Sequence, residues 1–229
     1  SVPVDTMYGL FARFLAPDTL TEVDGQTYTY GGGFESWSAS GVTGVWAEEN
    51  TRASIFSALQ RREAFGSSGP RMAIRMFGAE EFPTDICFDE GLAEFGYFYG
   101  VPMGGELTEI ETPTFVIQAQ QDQEALSELQ IIKIWREGDE PREKVISLKS
   151  ETLEQEMCHR WEDPEYDPKK WVAYYARVLE APSHRWTAQR CAAVECTDTP
   201  RHACCGELPP RQIQERAWSS PIWVAPHAK

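Results

Sequence analysis

Apolar positions along the chain change their spacing near residue 70. Upstream, "GVTGVWA" (41–47) reads as a short buried strand, and Asn50 is placed to cap the helix that follows. Within that helix Ile55, Phe56 and Leu59 fall on one face. Arg61 and Arg62 fall in the last turn, where cations suit the helix dipole, and Gly66 can end it. Residues 44–71 therefore read as strand, helix and loop. Beyond Pro70 the spacing becomes two. "RMAIRMF" sets Met72, Ile74 and Met76 against Ala73, Arg75 and Phe77, and "TFVIQAQ" puts Phe115, Ile117 and Ala119 on one face. "ELQIIKIWRE" and "EKVISLK" form two strand-like runs joined by the turn-rich "GDEP". "WVAYYARVLE" is apolar on both faces and reads as a central strand, and "SSPIWVAP" as a short final one with prolines at its ends. Residues 78–113 read as irregular, around "EFGYFYGVPMGGEL", and residues 1–43 carry little regular pattern beyond the apolar stretch "MYGLFARFL".

About six strands separated by turns predict a β-sandwich. The expected class is α+β, mostly β, with residues 1–70 set apart from a β-rich region over 71–229. A chain of 229 residues is long enough to bury a core without staples. The net charge is −15, from 36 acids against 21 bases, so the average surface repels nucleic acid and anionic membranes. No run approaches the roughly 20 apolar residues of a membrane span, and "SVPVDTMYGL" lacks the pattern of a signal peptide.

The six cysteines are Cys87, Cys158, Cys191, Cys196, Cys204 and Cys205. An even number, mostly in loop-like sequence, suits disulfides and hence an oxidising compartment, the periplasm or the cell exterior. The rival reading is a metal site built from the clustered cysteines and His202, although the paired C-x-x-C spacing of structural zinc sites is absent. His159, His184, His202 and His227 form no H-x-H or H-E-x-x-H pattern.

Three further stretches carry chemistry-bearing residues. Glu48, Glu49, Asn50 and Arg52 crowd the junction of the first strand and helix. Acids before a helix N-terminus are stabilised by its dipole, and this requires no substrate; at the end of a barrel strand the same residues would border a site. "SSGPR" could hold an anion through backbone amides and Arg71, or could simply lead into the next strand. In "HRWTAQRC" and "QERAWSSPIW" the tryptophans suit either a core or a stacking platform, and Arg185 and Arg216 could pair with them.

The run "WSASGVTGVWAEENTRASIFSALQRREAFGSSGPRMAIRMFG" resembles the family known as domain of unknown function 3604. So do "GVPMGGEL", "LQIIKIW", "EKVISL", "WEDPEYDPKKWVAYYARVLEAPSHRWTAQRC", "ACC" and "IQERAWSSPIW". The resemblance covers nearly all of residues 37–225. That family is similar to the PHP class of metal-dependent hydrolases, which use a distorted (β/α) barrel with His, Asp and Glu metal ligands at its strand ends and typically cleave phosphoesters. The resemblance implies that residues 44–63 are the last strand and helix of such a barrel, followed by a sandwich-like domain. It supports the disulfide reading of the tail cysteines.

The family's H-x-H and D-x-H metal motifs do not occur in this sequence. The chain is therefore expected to be the C-terminal portion of a longer protein. It would meet its divalent metal only through an upstream barrel segment or a partner polypeptide, and bind none by itself. Glu48, Glu49, Asn50, Arg52 and Arg71 are the expected site rim, with no residue assigned as a metal ligand or catalytic group. The alternative function is a non-catalytic β-sandwich that binds a ligand or an assembly partner.

Overall fold

The structure is a computed structural model that describes residues 20–23, 26–29, 41–185, 188 and 212–227. In chain order, strands β1 (Leu20–Val23) and β2 (Gln26–Thr29) are followed by β3 (Val42–Val45), helix α1 (Arg52–Gln60), β4 (Ala64–Ser67) and β5 (Ala73–Ala79). A 3₁₀ turn at Ile86–Phe88 and helix α2 (Leu92–Tyr99) come next, then the short β6 (Val101–Pro102) and β7 (Glu106–Leu107). The longer strands follow: β8 (Thr114–Gln120), β9 (Leu126–Glu137), β10 (Glu140–Glu154), β11 (Glu156–Glu162) and β12 (Val172–Glu180). The last are β13 (Ser183–His184), β14 (Gln212–Ile213), β15 (Arg216–Ser219) and β16 (Ile222–Val224).

The chain divides into two compact units, residues 1–39 with 182–213 and residues 40–181 with 214–229. In the first, β1 pairs antiparallel with β2 and β13 with β14. The second is a sandwich, as the alternating pattern predicts. Its larger sheet runs β10-β9-β12-β15-β4-β3, with β16 beside β12 and β7 beside β16; its smaller sheet runs β11-β8-β5-β6. The core lies between them. Met72, Ile74, Met76, Phe115, Ile117, Ala119 and Met157 point in from the smaller sheet, and Leu129, Ile131, Val172, Tyr174, Ala176 and Val178 from the larger. Period two dictates this, because every second side chain of a strand shares one face. The fold is thus α+β and mostly β. Strands on both sides of residue 70 enter it: β4 lies in the larger sheet and β5 in the smaller.

The pairings of β9 with β10 and of β12 with both β9 and β15 realise the expected hairpin and central strand. Gly138, at φ 60°, makes the hairpin turn where an L side chain would be strained. Other local expectations are corrected. Thr51, not Asn50, caps α1: its backbone is extended and its hydroxyl accepts from the Ser54 N–H at 3.3 Å. Helix α1 ends at Gln60, well before Gly66. Arg62 takes φ 61°, its N–H donates to the Leu59 carbonyl and that of Glu63 to the Ala58 carbonyl, which is the paired bonding of a Schellman ending. The reversal frees residues 64–67 to form β4, where the end of the helix and the start of a loop were expected. The face of α1 that packs inward is carried by Ala58, while Phe56 and Leu59 are exposed.

Residues 92–99 form α2 within the stretch that read as irregular. This helix covers half of the smaller sheet's outer face. Phe77, Ala79 and Val116 from that face join Phe82, Ile86 and Leu92 in a second apolar cluster. Gly96 permits the close approach, because a Cβ there would lie 2.5 Å from the Phe77 ring. The disulfide Cys87–Cys158 ties the 3₁₀ turn to β11. Cys191, Cys196, His202, Cys204 and Cys205 lie outside the described residues.

Candidate functional site

The uncovered half of that outer face is polar. Strand register sets Arg75 of β5 opposite Gln118 of β8, and Gln118 opposite Cys158 of β11; one step along, Ala73, Gln120 and Glu156 form the next row. These side chains share a face for the same reason that Met76 and Ile117 share the core. Together with Trp46, which follows β3, they line a cleft of about 350 Å³. The cleft floor is sheet backbone, and the disulfide marks its boundary with the apolar cluster.

Trp46 is fixed by its indole N–H, which donates to the Ile74 carbonyl at 2.9 Å, and by Phe65, whose ring centroid lies 5.9 Å away. The Arg75 guanidinium stacks over the Trp46 ring at 3.7 Å. Such a cation–π contact contributes on the order of 0.5–2 kcal/mol and holds the fork in one plane. The Arg75 Nε is buried without a hydrogen-bond partner among the described residues. Desolvation lowers the Arg75 pKa, and the nearby Tyr97 and Glu63 oppose that shift. Arginine remains a cation at any physiological pH nonetheless.

Behind Arg75 lies a buried carboxylate. Glu63 is 1% exposed; it accepts a hydrogen bond from the Tyr97 hydroxyl and pairs with Arg61 at 3.3 Å. Burial, and then the bond to Glu63, push the Tyr97 phenol up to about 12. At the cleft rim the Gln120 amide donates to Glu156 at 3.2 Å.

A second polar group sits inside the sandwich. Lys133 lies 2.6 Å from Asp163, whose Oδ2 also accepts from the Tyr174 hydroxyl at 2.5 Å. Lys133 donates further to the Glu165 carbonyl at 2.8 Å, and the Asp163 Oδ1 accepts from the Glu165 N–H at 2.9 Å. Burial and the Asp163 bond push the Tyr174 phenol strongly up. Asp163 and Lys133 are thus fully engaged with their neighbours, and the group acts as a polar clasp between β9, β12 and the acidic loop.

The residues expected to rim a site fall in two places. Glu48, Glu49 and Asn50 occupy the exposed turn between β3 and α1, and Arg52 opens the helix beside them. The Glu49 N–H donates to Ser54 Oγ at 3.2 Å. Arg71 is exposed elsewhere, its N–H donating to Asp122 Oδ2 at 2.7 Å, and no hydrogen bond or ion pair links it to that turn among the described residues. The serines of the Ser/Gly loop preceding it are engaged within the protein: Ser67 Oγ donates to the Pro70 carbonyl, and Ser68 Oγ donates to Glu215 while accepting from the Arg216 N–H. Among the described residues no three His, Cys, Asp or Glu side chains converge as metal ligands, and the Glu48–Arg52 turn offers no third donor of that kind. The described residues therefore do not fit a metal centre by themselves.

A family model described as a protein of unknown function (DUF3604) matches residues 15–152 and 143–226. The chain belongs to this family. No curated protein and no solved structure matches it. Within this DUF3604 chain, sequence reasoning singled out the Glu48–Arg52 turn but passed over the Arg75 cleft. The signal was present: Arg75, Gln118 and Gln120 are the polar members of otherwise apolar strand runs, and all three take the same side of the alternation.

Proposed function

We propose that this DUF3604 chain is the C-terminal portion of an exported, PHP-like metal-dependent hydrolase directed at phosphoesters. In this reading it supplies a docking face and a site rim, and the metal ligands come from an upstream segment or a partner polypeptide. The observation that carries it is the state of the β3–α1 pair. β3 is the edge strand of the larger sheet, and Val42, Phe56 and Leu59 on this pair are 41%, 59% and 47% exposed. An uncovered strand edge and a row of bare apolar side chains are liabilities in isolation and suit a covered interface. The Glu48–Arg52 turn lies at the end of that edge, so a barrel packed there would bring these side chains to its strand ends. Glu48, Glu49 and Asn50 would support metal ligands by hydrogen bonds, and Arg52 would contact a substrate anion. The Cys87–Cys158 disulfide supports an oxidising compartment, and no helix among the described residues is long and apolar enough to cross a membrane.

The test uses protein purified from its native source. Hydrolysis of bis(p-nitrophenyl) phosphate should be lost on chelation and return when divalent metal is restored. Hydrolysis indifferent to chelator, or none on any phosphoester, would overturn the reading. The Arg75 cleft favours a second reading, a binding module without chemistry of its own, because its cationic fork is built entirely from this chain.

A further inference from the structure

The geometry points to the cleft beside Trp46 as a binding site for a small hydroxylated monoanion, a sugar acid or a sugar sulfate ester, held through the Arg75 guanidinium. The inference stands apart from the hydrolase reading, since it concerns the outer face of the smaller sheet and needs no metal. Four observations carry it.

First, Arg75 is a preformed cation: its plane is fixed by Trp46 at 3.7 Å, and among the described residues it makes no hydrogen bond or ion pair. A guanidinium held in this way offers paired donors whose geometry matches a two-oxygen anion. Second, that charge is single and has acids around it. Glu63 stands behind Arg75, and Glu156 lines the same cleft. One guanidinium balances one negative charge; a phosphate dianion would bring a second charge toward two carboxylates. Third, the neighbouring groups are suited to hydroxyls. The Gln118 amide, opposite Arg75 in the strand register, makes no hydrogen bond among the described residues. Glu156 and the Gln120 carbonyl oxygen supply acceptors alongside it. Fourth, the cleft volume of about 350 Å³ lies in the range of small-molecule sites, too small for a macromolecular interface.

Isothermal titration calorimetry of the full chain at pH 8 tests this with four probes: glucuronate, glucose 6-sulfate, glucose 6-phosphate and glucose. The first two are monoanions, the third is mainly a dianion at that pH, and the fourth is neutral. At least one monoanion should bind roughly tenfold or more tightly than glucose and more tightly than the phosphate. Which of the two does so separates a carboxylate from a sulfate ligand. Arg75→Gln should remove that preference, at a cost of about tenfold or more in affinity for the preferred monoanion. Gln118→Leu should weaken that monoanion while leaving the fold intact, which keeps the test decisive if loss of the Arg75–Trp46 stack disturbs folding. Equal binding of glucose and both monoanions, tighter binding of the phosphate, or unchanged monoanion affinity in folded Arg75→Gln or Gln118→Leu would overturn the inference.

Discussion

Replacing both Cys87 and Cys158 by alanine removes a covalent tie across a sequence separation of 71 residues. The cross-link acts chiefly on the unfolded chain, which it forbids from opening that loop. The loop-closure relation, −2.1 − 1.5R ln n, gives an entropy near −15 cal/mol/K for n of about 71, or about 4 kcal/mol at 25 °C. Both cysteines also pack against the Phe77–Leu92 cluster, so alanine loses some contact, but neither is fully buried. The expected loss is therefore about 4–5 kcal/mol, set against a total stability of about 5–15 kcal/mol for a typical domain. Substitution is preferable to a reductant, which would act on any further disulfide as well. Urea titration followed by tryptophan fluorescence measures the change, and the native spectrum should be unaltered because the tie does not shape the folded sheets. A loss below about 1 kcal/mol would refute the reasoning, since the bond would then constrain an unfolded chain that is already restricted some other way.

Lys133→Met should cost about 3–5 kcal/mol in the same titration by leaving Asp163 buried without its counter-charge, and adding Asp163→Asn should recover part of that loss. Arg62→Gly should stabilise the fold by about 0.5–1 kcal/mol, because glycine takes the positive φ at the end of α1 without a Cβ penalty; thermal melting would register the rise. For Tyr97 the folded-state pKa of about 12 exceeds the ordinary value of 10.0, so its contribution to stability is complete below pH 10 and is lost as pH rises through about 12. Tyr97→Phe should abolish that part of the alkaline fall in stability and remove one high-pH step from the phenolate absorbance titration.

The alternation of "RMAIRMF" and "TFVIQAQ" discloses the inner face of the smaller sheet, because a core-facing strand has one dominant constraint and it repeats every second residue. The central strand Val172–Glu180 was legible for a different reason: its apolar residues run on both faces, and the strand is buried along most of its length. What escaped notice were elements defined by tertiary contact. β4 is four residues long and exists because Arg62 turns the chain back, an event no glycine announced. Helix α2 carries four aromatics among its eight residues and a single charged one, so it shows no polar stripe; Phe98 and Tyr99 remain exposed while Gly96 meets Phe77. β11 hides a mixed pattern, since Cys158 and Arg160 lie under neighbouring elements that the sequence does not place beside them. The Arg75 cleft was legible only in part, as polar residues on one side of the alternation. Its chemistry arises from register across three strands and a tryptophan from a fourth segment, and pairing register is not a property of any one stretch. The Glu48–Arg52 turn was legible as a cluster because its members are sequence neighbours.

The central claim is that this chain completes a hydrolase whose metal ligands lie on another segment or polypeptide. Native mass spectrometry of the protein from its source, without reductant, tests it most directly. The account predicts a species that carries divalent metal and whose mass exceeds 25.9 kDa by an amount that is not a whole multiple of it. A metal-free species at 25.9 kDa, or at whole multiples of that value, would contradict it.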